Sequence, residues 1–170
     1  MRKLAFIALI TPLLYSCWPS SVSFVDKGSL PEEWQTFFVK TLANTAPNAP
    51  LSYSVDLSEE IKDGIQNGTR LTLSNDAKKA EVNIEGTVLN YFVTPIALQE
   101  GDNAAQNKLT ITARFDIFIS APEEDQMTLS STRFATYESS QDLSVVESTL
   151  LEEINDQIVQ DVINKLLSNW

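Results

Sequence analysis

Cys17 is the residue best placed for covalent chemistry in this chain, and it is the single cysteine. It follows a basic start at Arg2 and Lys3, an apolar run over residues 4–14, and the small residue Ser16. Bacterial lipoprotein signals have this order, in which the cysteine becomes the lipid-carrying N-terminus. The competing reading makes Cys17 an ordinary residue of a secretory signal or of an N-terminal membrane helix. The apolar run falls short of the roughly 20 residues that a spanning helix needs, so the mature chain is expected to be anchored and not threaded. A diacyl or triacyl anchor suffices for stable attachment, since each buried methylene contributes about 0.8 kcal/mol. After Cys17 come Trp18, Pro19, Ser20 and Ser21, with no aspartate beside the lipid. In an envelope with an outer membrane, that absence is compatible with transfer to the outer membrane.

Other chemistry is constrained by what is missing. The 170 residues contain no histidine, which removes Ser–His–Asp and Cys–His triads and His-ligated zinc. With Cys17 acylated, no thiol is left for an intrachain disulfide. The chain carries 12 basic and 23 acidic residues, a formal charge of −11, and losing Arg2 and Lys3 with the signal makes it more negative. Such a surface is repelled by nucleic acid phosphates, so no nucleic acid partner is expected. Enzyme readings would rest on paired carboxylates, as in a small glycan hydrolase, which needs two acids set in a cleft. Here the acids fall on helix faces and in turns, and no enzyme activity or cofactor is expected. The acidic turn Glu123-Glu124-Asp125 lacks the spacing of an EF-hand calcium loop.

The elements that position these residues follow from apolar periodicity. Residues 22–25 alternate weakly and suggest an edge strand, while residues 34–42, with Trp34, Phe37, Phe38, Val39 and Leu42, read as a buried strand. Leu57, Ile61 and Ile65 recur every four residues and predict a helix over 54–67. Asp56 or Ser54 is its expected cap, Gly68 its left-handed stop and Gly64 a packing point on the sheet. Strands are predicted over 70–74, 81–94, 108–120 and 127–137, with a bulge near Gly86 where the alternation slips. The third is the clearest: Leu109, Ile111, Ala113, Phe115, Ile117 and Ile119 take every second position. Residues 95–106 read as an irregular excursion. Val146, Leu150, Ile154, Ile158, Val162 and Leu166 then mark a long helix running to Trp170, started by Asp142 or by a Ser144–Glu147 capping box. The expected fold is α+β, a two-layer sandwich with a mostly antiparallel four-stranded sheet and two helices packed on one face. The other face is left for a partner. Residues 1–16 form the signal, 17–30 the tether and 31–170 a single domain.

Two stretches go beyond generic patterning. One is Glu85-Gly86-Thr87-Val88-Leu89-Asn90-Tyr91-Phe92-Val93-Thr94-Pro95, continued by Asn107-Lys108-Leu109-Thr110-Ile111; the other is Ser139-Ser140-Gln141-Asp142-Leu143, leading into the last helix. Together they resemble the lipopolysaccharide-assembly lipoprotein LptE family, in which a Gly…Tyr…Thr-Pro strand, an Asn-Arg/Lys-Leu-Thr-Ile strand and a Ser-Ser-Gln-x-Leu helix start recur. Asn48-Ala49-Pro50 and Thr69-Arg70-Leu71 extend the resemblance over nearly the whole mature chain. The tether departs from it: members often carry Gly-Cys-Gly or Ser-Cys-Gly and then Tyr-Ser-Phe, whereas here Trp18-Pro19 follows Cys17.

The resemblance implies an outer-membrane lipoprotein that seats inside the β-barrel LptD and forms with it the translocon for lipopolysaccharide. Its expected partners are the LptD-type barrel, lipopolysaccharide, and the outer membrane through the N-terminal lipid. Arg114 and Asp116 on the face away from the helices, and the 95–106 excursion with Pro95 and Gly101, are the expected contacts. Lys78, Lys79 and Lys108 are the cations available to meet lipopolysaccharide phosphates. The bland alternative makes these positions a solvated surface. A rival function is an outer-membrane lipoprotein that serves another periplasmic partner, such as a cell-wall synthase.

Overall fold

The computed structural model describes residues 30–96 and 106–168. Cys17, Gly101, Trp170, the tether up to Ser29 and the suggested strand at 22–25 lie outside the described residues.

The chain forms β1 (Thr36–Val39), β2 (Ala43–Asn44), helix α1 (Tyr53–Gly68), β3 (Thr72–Leu73), β4 (Val82–Ile96), β5 (Gln106–Ile119), β6 (Asp125–Glu138) and helix α2 (Leu143–Leu167). The strands make one sheet in the order β3-β1-β4-β5-β6, with β2 also on β4. β4, β5 and β6 are an antiparallel meander, but β1 runs parallel to β3 and β4, and β2 runs parallel to β4. The sheet is therefore six-stranded and mixed, not four-stranded. The reason is that residues 34–42 do not make one strand: β1 leaves β4 after Val39, and the chain returns to it at Ala43. Parallel pairing follows because α1 crosses between β1 and β3, and a helical crossover returns the chain in the same direction.

Both helices lie on one face, α1 over β1, β2 and β3, and α2 over β5 and β6. They run parallel to each other. A Cβ added at Gly64 would sit 2.2 Å from Val159 Cγ1, and one at Gly68 would sit 3.1 Å from Ile163 Cδ1, so both helices advance by four residues between these contacts. The glycines thus keep the helices close, and Gly64 packs on α2 and not on the sheet. Gly68 is the last helical residue, with no positive φ, and the extended Thr69 ends the helix by donating its N–H to Ile65 O. Asp56 and Ser54 lie inside α1, whose N-cap is Ser52. In α2 the N-cap is Asp142, and Glu147 bonds the Tyr91 hydroxyl in place of a capping box.

The odd-numbered residues of β5 face the helices, with Leu109, Ile111, Ala113, Phe115 and Ile117 fully buried. They meet Leu57, Ile61 and Ile65 of α1 and Leu150, Ile154, Ile158, Val162 and Leu166 of α2 in one apolar core. The register slips between Val88 and Asn90, so the bulge falls at Leu89, later than expected. Gly86 serves instead as a close-packing point: a Cβ there would approach Phe115 Cδ1 at 2.8 Å. Pro95 and Ile96 still pair, with Asn107 and Gln106, which shortens the expected excursion. Beyond Val88 no strand lies on the far side of β4 among the described residues, so the N–H that proline lacks is not needed there.

Candidate partner interface

The face of the sheet away from the helices is uncovered among the described residues. Its middle is a hydroxyl ladder, in which Thr112 and Thr132 Oγ1 lie 3.1 Å apart and Thr128 donates to Asp116 Oδ1 at 2.9 Å. Arg114 and Asp116 stand side by side on it, with Nη2 3.4 Å from Oδ1. Lys40 reaches Glu85 at 3.1 Å. The face is thus close to neutral, its charges answered locally.

Towards the hairpin joining β4 to β5, the face becomes aromatic. The register aligns Phe92, Thr110 and Phe134 in one row across the three long strands. The two rings are 41% and 53% exposed, while Thr110 between them is only 7% exposed and its hydroxyl has no hydrogen-bond partner. Lys108 Nζ lies 5.2 Å from the centroid of Phe134, in cation–π range. Pro95 is exposed close by, at the end of β4.

The structure does not gather the three lysines. Lys108 pairs with Thr94 near the hairpin end, whereas Lys78 and Lys79 sit in the exposed turn before β4 begins at Val82. Twelve residues of strand separate those ends, about 40 Å. The turn is locally satisfied: Asp76 Oδ1 accepts from the Lys78 N–H, and Lys79 Nζ lies 4.0 Å from Asp76.

The helix layer is electrically different. α1 carries Asp56, Glu59, Glu60 and Asp63 and α2 five further carboxylates, whereas the two helices together hold only the cations Lys62 and Lys165. Between the helices lies a groove of about 640 Å³ lined by Asp56, Glu60, Asp63, Glu152 and Asp156. At its floor Tyr53 donates to Asn155 Oδ1 at 2.7 Å, and Asn155 Nδ2 donates to Glu60 Oε1 at 3.1 Å. Burial pushes the Glu60 carboxyl above its ordinary value; the Asn155 bond opposes this, and Asp156, Asp56 and Glu152 add to it. Among the described residues no group of three or more carboxylates is arranged to hold a metal ion.

One carboxylate goes the other way. Arg133 on β6 donates Nε to Asp161 Oδ2 of α2 at 2.8 Å and pairs with Oδ1 through Nη2, while Ser131 also donates to Oδ2. The Arg133 bonds, with that of Ser131, hold the Asp161 carboxyl below its usual range despite partial burial. A lowered folded-state value means that its stabilisation is present above the unfolded pKa and is lost as pH falls through the folded one. Asp161→Asn is therefore expected to cost about 1 kcal/mol at pH 7, a figure discounted because Arg133 is partly solvated. The difference in melting temperature should shrink as pH falls through the lowered folded-state pKa, and a series of thermal melts from pH 7 into acid checks it. Glu60 has the opposite sign, its stabilisation appearing as pH falls.

Sequence reasoning missed Phe92, Phe134 and the Arg133–Asp161 pair. The signal was present in β6, where Ser131 and Arg133 occupy the inward phase and Phe134 the outward one. A polar residue in the core phase calls for a partner on the covering helix, and an aromatic in the solvent phase calls for one outside.

The fold is that of several solved bacterial proteins. Protein CT253 of Chlamydia trachomatis superposes with a TM-score of 0.55 at 12% identity, over 80% of this chain and 99% of that one. Lipoprotein B of Nitrosomonas europaea superposes with a TM-score of 0.50 at 17% identity, over 82% and 84%. No curated protein matches the sequence. The family model for LptE, lipopolysaccharide-assembly, matches residues 34–166, from buried Trp34 to the last buried leucine of α2.

Proposed function

Because the chain belongs to the LptE lipopolysaccharide-assembly family, we propose that it is the outer-membrane lipoprotein of a lipopolysaccharide translocon, acylated at Cys17 and seated in an LptD-type β-barrel. The observation that carries this reading is the segregation of charge between the two faces. Transmembrane barrels have polar lumens. A nearly neutral hydroxyl face with two aromatic anchors can pack on such a wall, whereas the helix layer, rich in unpaired carboxylates, suits the water-filled side.

The protein then acts by shape and not by bond chemistry, filling part of the lumen and supporting assembly of the barrel. An obligate complex buries over ~2,000 Å², about half of it on each partner. The three long strands offer a face of roughly 45 by 15 Å, some 700 Å². The hairpin end and the flanking strands would supply the rest. Lys108 beside Phe134 is the better candidate for lipopolysaccharide, since a cation and an apolar ring together match a phosphate next to acyl chains. Lys78 and Lys79 offer charge alone.

Affinity purification of the tagged, lipidated protein from detergent-solubilised outer membrane tests the reading. A stoichiometric barrel of the LptD type is the expected companion, identified by mass spectrometry. Recovery with a cell-wall synthase would replace this function with the adaptor reading, and recovery alone would remove both.

A further inference from the structure

The two edges of the sheet are built differently. The edge opposite β6 is stepped: β3 and β2 line it with two residues each, and the stretch of β4 left open beyond Val88 carries a bulge at Leu89 and a proline at Pro95, both of which blunt an edge. β6 forms the other with 14 residues, paired to β5 through consecutive partners from Gln106↔Glu138 to Ile119↔Asp125 without a bulge. Its outer side therefore presents alternate N–H and C=O groups over about 45 Å. Glu138 O accepts from the Gln141 N–H, and the Gln126 N–H meets Asp125 Oδ1; among the described residues no other β6 backbone group has a partner beyond β5.

Natural sheets blunt such an edge with lysine, proline, a bulge or an unanswered inward charge. β6 contains neither lysine nor proline. Its one inward charge, Arg133, is neutralised by Asp161 and so does not repel a neighbouring strand.

We infer that β6 is a strand-addition site, which takes an extended segment of a partner protein carrying basic residues at both ends. The ends of β6 select that chemistry, with Glu123, Glu124 and Asp125 at one end and Glu138 and Asp142 at the other, around a Ser/Thr-rich centre. A second copy fits badly. Antiparallel self-pairing in full overlap about Ser131 and Thr132 would set Asp125 opposite Glu138 twice, and like charges directly opposite destabilise a sheet. A chain of net charge −11 adds long-range repulsion. The wall of a closed barrel has no free strand to offer, so the segment is a loop or terminal extension. The inference goes beyond the translocon reading, and only the choice of a loop or terminal extension as the segment rests on that reading.

The test uses the full chain, isotope-labelled in detergent micelles, with two synthetic peptides of alternating threonine and valine. One ends in lysine pairs and the other in glutamate pairs. At saturation the lysine-ended peptide should slow hydrogen exchange at alternate β6 amides at least tenfold, and the glutamate-ended one should not. Asp125→Lys combined with Glu138→Lys, both exposed, should remove most of that preference without unfolding the domain, since three acids then stand against two lysines. The inference is overturned if neither peptide protects β6, if protection is not alternating, if the preference is unchanged in the double variant, or if the free chain dimerises through this edge.

Discussion

Phe92→Ser and Phe134→Ser together should lower recovery of the proposed LptD-type barrel with this protein at least tenfold, while its melting temperature hardly moves. The two rings are partly exposed and stand in one row across Thr110, so truncating them removes little from the core. Surface substitutions of this kind usually stay within about 0.5 kcal/mol of stability. At an interface the same rings count for more, because buried aromatic anchors contribute about 2 kcal/mol or more each, which is a factor of about 30 in affinity. Leu51→Ser with Val145→Ser is the matched control. Those side chains, 97% and 74% exposed, lie at the starts of the two helices, away from the sheet face. Densitometry of the co-purified barrel reads the result. Equal recovery from both double variants would move the docking surface off the sheet.

That face could be anticipated only in part. Where one side of an element is apolar throughout, as in β5 and α2, periodicity alone assigns the buried side, and the structure follows it residue by residue. The stripe from Leu150 to Leu166 and the alternation from Leu109 to Ile119 are both core. Where inward residues are polar, periodicity cannot say what satisfies them. Arg133 is stable facing α2 only because Asp161 arrives there, 28 residues later in the chain. The mixed sheet was hidden for a similar reason. Nothing local distinguishes one strand over 34–42 from two short ones, since the break depends on where β4 lies and on Ser58 Oγ accepting from the Leu42 N–H at 2.9 Å. Glycines were the hardest to read. Gly68 and Gly86 look like stop and bulge residues in sequence, and Gly64 like a packing point on the sheet, yet each makes room for a side chain of another element, which for Gly64 is Val159 of α2.

The segregation of charge ties these points together. Apart from Asp161, which meets Arg133 of the sheet, and Glu147, which meets Tyr91, the helix layer keeps its carboxylates on the solvent side of an apolar stripe, and the groove between α1 and α2 concentrates five of them. Like charges this close resist approach of the helices, so the seam must be held by packing at Gly64 and Gly68 and by the Tyr53–Asn155–Glu60 bonds. The sheet carries no such burden. Its outward charges are paired on the face itself, which leaves it free to be covered.

The core beneath that face gives the largest effect on stability. Phe115→Ala should cost about 3–5 kcal/mol, the usual range for deleting a buried aromatic side chain, from a total of about 5–15 for a domain. Phe115 is fully buried between Arg114 and Asp116 in sequence, so the same strand residue run supports the core and presents the outer face. Its ring lies against Gly86, where a Cβ would come within 2.8 Å of Cδ1 and within 3.1 Å of Leu42 Cγ and Arg114 O. Gly86→Ala alone should therefore cost about 1–3 kcal/mol by overpacking. In the Phe115→Ala background the nearest of those contacts is gone, and the new methyl occupies part of the space left by the ring. The two costs should then add to less than their sum by about 1 kcal/mol or more, the coupling expected of residues in direct contact. Urea denaturation of the four members of the cycle measures it, with Phe115→Leu standing in if Phe115→Ala does not fold. Strict additivity would mean that the ring does not bear on Gly86, and the glycine would then need another cause, the nearest being the approach of Leu42 from the β1–β2 connection.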